Sequence, residues 1–551
     1  MTLDTHRHSR FHPEQFSAAD RSVLGRYFTN LDGPVFAVTN LPEVVKGALF
    51  ARYSRSPKSL RRLFLDEFHE APEAGIEAIA GAMQFDDPAL RLQRAEELYE
   101  RVFSQYGDDS VAQLGGAHLA VEQASNLLTK ILEWGRLGAY LEQSTRYIFY
   151  DQKFAGHYRY GIPVEIQQSD LAADYGDLME RLFDTYSGLV AKLVPYYETL
   201  FPREDGDSKF IWRSTIRAKA CDDVRGLLPA STQSNVGIFA TGQSYEMMLM
   251  RMKAHPLEEA RHFSDLMLTE LRKVIPAFMK RVDVPERGGA WVGYFRDTAA
   301  RMAELAAKLP QSPEPRAEVT LVDWDPDAEL KTAAAALYPH TNLPDDQILA
   351  AVGNLSATER ADLIRSYVGQ RSNRRHKPGR GMERSDYRFD ILCDYGIFRD
   401  LQRHRMLTID WQLLSPIHGY VTPESIADID AVGQWDEAMD RTARLHADVS
   451  ALLGPDAAQY VVPFAYKIRF FFQLNAREAF HLLELRTGQG GHPDYRRICQ
   501  LMHREIRDRA GHRTIADAMS YVDHEQHDLA RLEGERRAAA KRAALGIEDP
   551  A

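Results

Sequence analysis

Cysteine is scarce. The 551 residues hold three, Cys221, Cys393 and Cys499, far apart and in no C-x-x-C pair. An odd, scattered set builds no disulfide framework and reads as a reduced, cytoplasmic setting. None of the three stands in a nucleophile motif. No run of 18 or more apolar residues occurs, which excludes a spanning helix and a membrane partner. The stretch Met1 to His12 is polar and lacks the apolar core of a secretory signal; its His6, His8 and His12 read as part of a polar tail rather than as a metal site. H-E-x-x-H, the phosphate-cradling Walker loop and G-x-G-x-x-G are all missing, and no metal is expected. Positive charge is in deficit, with 68 Lys and Arg against 79 Asp and Glu and a net charge of −11. That balance disfavours a nucleic-acid partner, so an anionic ligand must be met by a local arginine cluster.

What is present is a globular composition, 44% hydrophobic and 27% charged, on a chain longer than one ordinary domain. The chain is organised around Leu401-Gln402-Arg403-His404-Arg405-Met406-Leu407-Thr408. Phe389, Leu392, Cys393, Ile397 and Leu401 before it recur at helical spacing, so Tyr387 to Arg405 is expected to be a helix. Three consecutive cationic or titratable heads then fan around its end and suit the gripping of a large anion. The alternative is an ordinary helix C-terminus, where the macrodipole favours Arg and His.

Three correspondences point to an internal repeat. A strand candidate at Val35–Val38 leads through Leu41-Pro42-Glu43 to a helix over Val44, Val45, Ala48 and Leu49 towards Tyr53. Val319–Val322 leads through Asp325-Pro326-Asp327 to a helix over Leu330, Ala333 and Ala334 towards Tyr338. A helix is expected from Val111 to Trp134, on the face of Leu114, Val121, Leu128 and Ile131. It runs into Trp134-Gly135-Arg136 and Glu142-Gln143-Ser144-Thr145-Arg146-Tyr147, with the Tyr387 to Ser415 stretch as its counterpart. Arg225-Gly226-Leu227-Leu228-Pro229 precedes a helix ending at Met250-Arg251, and Tyr460-Val461-Val462-Pro463 one ending at Leu485-Arg486. Between the halves, Leu309 to Pro315 is a Pro-rich linker. The expected organisation is a lead-in at 1–33, a first domain at 34–300, a linker at 301–317, a second domain at 318–528 and a charged tail at 529–551. His524 and His527 are expected on a charged, solvated C-terminal helix.

Arg403-His404-Arg405 in one half, and Glu142, Ser144, Arg146 and Tyr147 in the other, resemble two parts of one signature, that of the flavin-dependent thymidylate synthases. In that family the signature is continuous. Here the first half has Trp134-Gly135-Arg136 where the Arg-His-Arg triplet belongs. The second keeps the triplet and then drifts to Thr408, Asp410, Leu413 and Ser415. A later pattern divides likewise. Arg225 is held by the first half, with Gln459 opposite it. Asn475, Arg477, His481 and Arg486 are held by the second, where the first has Ala240, Gly242, Glu246 and Arg251.

The resemblance implies an α+β fold of two tandem copies of a helix-rich domain, each partly degenerate, that together complete one composite site. It implies reductive methylation of dUMP to dTMP, with FAD and NADPH as cofactors and methylenetetrahydrofolate as carbon donor, in nucleotide biosynthesis. The nucleotide side is Glu142, Ser144, Arg146 and Arg225. The flavin side is Arg403, His404, Arg405, Asn475, Arg477 and His481. Arg486 reaches the pyrimidine, Arg403 also touches the substrate, and Arg403, His404, Arg486 and Ser144 stand closest to the chemistry. Two fused halves of a tetrameric family imply a homodimer forming a pseudo-tetramer. The rival readings are a flavoenzyme acting on another pyrimidine nucleotide and a non-catalytic homologue that binds nucleotide or flavin. In chemical terms, Arg146 and Arg225 offer the always-charged planar fork that binds phosphate bidentately, and Ser144 a neutral donor. Glu142 repels phosphate but accepts from a ribose hydroxyl or a pyrimidine N–H. Alone, each of these residues is equally an ion pair, a cap or a half-buried core group.

Overall fold

A computed structural model describes residues 14–527 except 34–35, 42, 54–55, 70–112, 147, 154–155, 205–207 and 311, together with 534. The expectations for Met1 to His12, for Val35 and for the tail beyond 528 therefore lie outside the described residues, as does Tyr147.

The chain alternates helix and short antiparallel sheet. Strand β1 (Gly116–Ser125), helix α1 (Asn126–Leu132), strand β2 (Gly138–Glu142), long helix α2 (Ala172–Leu200), strand β3 (Gln233–Thr241) and helix α3 (Gly242–Ala254) follow one another. Strand β4 (Val319–Trp324) then precedes the same series again: β5 (Asp386–Asp394), α4 (Tyr395–Leu401), β6 (Thr408–Trp411), α5 (Val432–Leu453), β7 (Lys467–Asn475) and α6 (Ala476–Arg486), followed by α7 (Pro493–Arg504). The sheet orders correspond. One is β1-β3-β2 and the other β4-β5-β7-β6. Between β5 and β7 the antiparallel register runs unbroken from Asp386↔Asn475 to Asp394↔Lys467.

The contacts divide the chain into two compact units. One is Met1–Val121, Leu137–Leu141 and Val236–Leu309; the other is Glu122–Arg136, Glu142–Asn235 and Pro310–Ala551. In the first unit Leu24, Tyr27, Phe28, Val45, Leu49, Leu63 and Phe64 form one buried cluster. There too Tyr245 of α3 donates its hydroxyl to the Ala117 and Ile238 carbonyls. In the second unit Tyr387, Phe389, Ile391 and Cys393 on β5 lie buried with Phe470 and Phe472 on β7. No helix among the described residues is long and apolar enough to cross a membrane.

Two helices expected from periodicity are strands in their first half. Gly116–Ser125 and Asp386–Asp394 are extended, and only Asn126–Leu132 and Tyr395–Leu401 are helical. The competing period wins at β5, where burial alternates strictly along Tyr387, Phe389, Ile391 and Cys393 and the intervening side chains face the other side. Each strand converts to helix at a capping side chain. Ser125 accepts from the Leu128 N–H at 3.1 Å and Asp394 from the Ile397 N–H at 3.0 Å, which satisfies a donor that the helix start leaves bare. A third such junction, with Asn475 accepting from the Glu478 N–H at 2.9 Å, is matched by Thr241 and Ser244 in the first copy. The equivalent of Asn475 is thus Thr241, one residue beyond the expected Ala240. Val38 makes only an isolated bridge with Phe28, whereas Val319–Trp324 is a strand and Glu43–Tyr53 and Ala328–Leu337 are helices as expected. His524 and His527 stand outside any helix, His524 on His503 and His527 on Asp523.

Within the second unit the repeat meets itself. Pro229 pairs with Pro463, flanked by Ala230 N–H to the Val462 carbonyl at 2.9 Å and Phe464 N–H to the Leu228 carbonyl at 3.0 Å. These prolines occupy the same place in the two copies, so the pairing is self-complementary, as at the dyad of a symmetric dimer. Tyr395 of α4 donates to the carbonyl of Asn126, its own counterpart on α1, at 2.8 Å.

At this junction a Cβ on Gly226 would lie 2.8 Å from the Trp435 ring and 3.1 Å from the Ala465 methyl. Gly226→Val is therefore expected to lower the thermal unfolding midpoint, with an overpacking cost of about 1–3 kcal/mol. An unchanged melting curve would show that the junction yields.

Candidate functional site

The site forms where α1, the end of α4 and the residues that close and follow β2 come together with α6 and α7 in the second unit. At its centre Glu142 is fully buried. Its Oε1 accepts from Arg399 at 2.9 Å, and its Oε2 from Lys130 and Arg403, both at 3.0 Å. Burial alone would raise this carboxyl; Arg399, Lys130 and Arg403 outweigh it and hold the group well below the usual carboxylate range. Glu142, expected on the nucleotide side, is thus surrounded by three cations. Lys130 and Arg399 occupy equivalent places, each four residues before Trp134 and Arg403 respectively.

A second buried carboxylate lies beside it. Asp400 accepts from Arg225 at 3.1 Å and stands 3.9 Å from Arg403. Burial pushes its carboxyl up, but Arg225 and Arg403 beside it, and Arg146 and Arg486 at longer range, hold it far down. Arg146 makes a bidentate pair with Asp222 at 2.7 and 2.8 Å and donates to the Tyr495 hydroxyl at 3.3 Å. Arg146 and Arg486 approach the same Tyr495 ring at 5.6 and 5.5 Å, within reach of a cation–π interaction. Ser144 Oγ accepts from the Arg146 N–H at 3.2 Å and shapes the turn that delivers Arg146. The buried Nη2 of Arg225 has no hydrogen-bond partner among the described residues. Leaving such a donor bare inside a protein is costly, and its surroundings suit an anion.

His404 is buried, with Nδ1 3.1 Å from Glu478 and Nε2 2.9 Å from the Nε of Arg486. Burial brings its imidazole down to about 4, and Glu478, despite its own burial, is held at about 2 by the two histidines. His404 is therefore neutral near pH 7. His481 also faces Glu478, at 3.2 Å. These three groups offer ligand atoms within 4.8 Å of one another. A metal there would have to displace the protons they share and sit beside the Arg486 cation, so the arrangement is that of a hydrogen-bonded network. Asn475 caps α6. Arg477 donates to the Pro378 carbonyl at 3.0 Å and to Glu383 at 3.3 Å. Arg403, Arg405 and Arg477 reach solvent, a rim of cations around the buried cluster. Burial raises Cys499 to about 12 and Cys393 well above its ordinary value, so neither is a thiolate at neutral pH.

Of the expected residues, Glu142, Arg146, Arg225, Arg403 and Arg486 are brought into one cluster, with His404 and His481 joined to it through Arg486 and Glu478. Ser144 and Asn475 serve backbone roles. Lys130, Arg399, Asp400, Asp222, Glu478 and Tyr495 were not singled out from sequence. Lys130 and Arg399 carried a signal in their repeated placement, and Asp400 in its i,i+3 relation to Arg403; Asp222 and Tyr495 carried none. The reciprocal positions are closed differently. Trp134, in place of Arg403, donates to the Ile409 carbonyl at 3.1 Å, and Gln459, in place of Arg225, accepts from the Leu414 N–H at 3.1 Å.

The chain is 38% identical to a UPF0159 protein of Chlamydia muridarum over 95% of its own length and 99% of that protein, and 31% identical to a UPF0159 protein of Thermoplasma acidophilum over 90% and 99%. It is 26% identical to the flavin-dependent thymidylate synthase of Clostridium tetani over 178 residues, 32% of this chain and 66% of that enzyme. The family model described as thymidylate synthase complementing protein matches residues 64–277 and again residues 320–510. With two matches that together span most of its length, the chain belongs to the thymidylate synthase complementing protein family, the flavin-dependent thymidylate synthase family, and carries its domain twice.

Proposed function

We propose that the protein binds dUMP and FAD in one composite site and converts dUMP to dTMP, with methylenetetrahydrofolate as carbon donor and NADPH as reductant. The observation that carries this reading is the gathering of Arg225 and Arg403 on Asp400 and of Arg146 and Arg486 on Tyr495, with Arg225 Nη2 buried and without a hydrogen-bond partner among the described residues. Asp222 and Asp400 offset two of these four charges, and Lys130 and Arg399 answer Glu133 and Glu142. The remaining excess suits a phosphate monoester dianion, which arginine binds bidentately.

In this reading Arg146 and Arg225 hold the phosphate, and Ser144 keeps the turn that presents Arg146. Arg486 polarises a pyrimidine carbonyl and so makes the ring carbon conjugated to it more electrophilic, the charge that develops turning the neighbouring carbon into the nucleophile that is alkylated. Arg403, anchored on Glu142, faces both ligands. The flavin, when bound, supplies the hydride that completes the methyl group. Arg405, Arg477 and His481 form the rim that would hold its anionic parts, which fits their exposure. Elevated thiols at Cys393 and Cys499 suit a route without a cysteine nucleophile. The first copy, residues 34–300, supplies the nucleotide side and the second, residues 318–528, the flavin side, with two chains pairing as a pseudo-tetramer. A sibling reaction on another pyrimidine monophosphate would use the same phosphate site.

Calorimetry with dUMP and with deoxyuridine tests the phosphate site: dUMP is expected to bind and deoxyuridine to fail. Arg225→Ala is expected to weaken dUMP by about 1.5–3 kcal/mol, roughly one to two decades in Kd. Equal binding of the two ligands would sink the reading. Arg477→Ala is expected to lower the flavin absorbance of the purified protein while dUMP binding persists, and parallel loss of both ligands would refute the division of labour. Tritium release from 5-tritiated dUMP, with folate and NADPH present, reads the reaction; binding without release points to the sibling reaction.

A further inference from the structure

Two hydrogen bonds fix the proton on His404. A guanidinium is always charged and its Nε carries hydrogen, so Arg486 Nε, 2.9 Å from His404 Nε2, donates to that nitrogen. His404 Nε2 is therefore bare. The ring proton lies on Nδ1, 3.1 Å from Glu478, a carboxylate that only accepts. Both contacts demand the same tautomer. Glu478 is itself immobilised: its backbone N–H is held by Asn475 at 2.9 Å, and both its carboxylate oxygens lie 3.2 Å from His481 Nδ1. The chain of contacts runs from Glu478 through His404 to Arg486, whose guanidinium lies 5.5 Å from the Tyr495 ring that Arg146 also approaches.

We propose that Glu478 is a positioning residue: by holding the His404 proton on Nδ1 it makes the imidazole an acceptor for Arg486 and so aims the Arg486 guanidinium at the pyrimidine nucleotide. An acceptor must stand at position 478, because a ring carrying its proton on Nε2 would set two donors, N–H and N–H, against each other and turn Arg486 away. Outer hydrogen-bond partners of this kind fix ring orientation and tautomer in other sites built on histidine. The aim of Arg486 at a nucleotide rests on the function proposed above; the tautomer does not.

The test pairs nitrogen-15 NMR of histidine-labelled full-length protein, with His404 assigned by its loss in His404→Gln, with steady-state kinetics on dUMP. Wild type is expected to show His404 unprotonated at Nε2 and protonated at Nδ1. Glu478→Gln keeps an oxygen acceptor and should retain that pattern with near-native turnover. Glu478→Ala should lose the pattern and lower kcat roughly 10–100-fold, the usual cost of removing such a partner, with a smaller change in KM. A wild-type ring protonated at Nε2 overturns the proposal, as does a Glu478→Ala protein that keeps both the Nδ1 proton and its kcat. If the alanine variant does not fold, the wild-type and glutamine spectra decide. If dUMP is not turned over by any form, the thymidylate reading fails while the NMR result still decides the role of Glu478.

Discussion

A buried carboxylate cannot stand alone, and the centre of this molecule is built on that constraint. Removing Glu142 from water is tolerable only because Arg399, Lys130 and Arg403 surround it, and breaking such a group by removing one partner is far more damaging than never having built it. The cations come from α1 and from the end of α4, so satisfying one carboxylate binds together segments from both copies. Asp400, three residues before Arg403, draws in Arg225 and the arginines around it. The cluster is thus structural before it is anything else.

What turns this structural cluster towards chemistry is that its charges do not close. The guanidinium groups around Asp400 outnumber the carboxylates bound to them, and two buried donors of the cluster, Arg225 Nη2 and Arg399 Nε, have no partner among the described residues. Interiors rarely leave such groups unsatisfied without a ligand or a strained function. The corresponding positions elsewhere in the repeat are quiet by contrast: Trp134 and Gln459 close theirs with neutral hydrogen bonds. The asymmetry lies in chemistry, not in backbone, since the junctions at Ser125, Asp394, Thr241 and Asn475 are all of one kind.

The repeat and the split signature were legible because they depend on spacing, which the chain displays directly. The cationic residues Arg146, Arg225, Arg403 and Arg486 were legible for the same reason. Two things were not. The strands before α1 and α4 carry apolar residues that satisfy helical spacing as well as alternation, and only pairing with β3 and β7 decides between them. The carboxylates that organise the arginines, Asp400 and Asp222, resemble any other surface acid until burial is known. Glu142 illustrates both sides: its register in the signature was visible, but the fact that three cations consume it was not.

The self-pairing of Pro229 with Pro463 carries one more consequence. When two identical subunits meet on an axis, each substitution near that axis is made in duplicate, and a new charge confronts its own copy. Joined in one polypeptide, the halves escape that rule. Lys130 and Arg399 occupy mirror positions yet share Glu142, Lys130 holding Glu133 as well, because the residue in the place of Glu142 in the second copy is Trp411. Covalent fusion has let an axis of symmetry hold an unsymmetrical charge, and the encounter of the halves no longer depends on how many molecules share the solution.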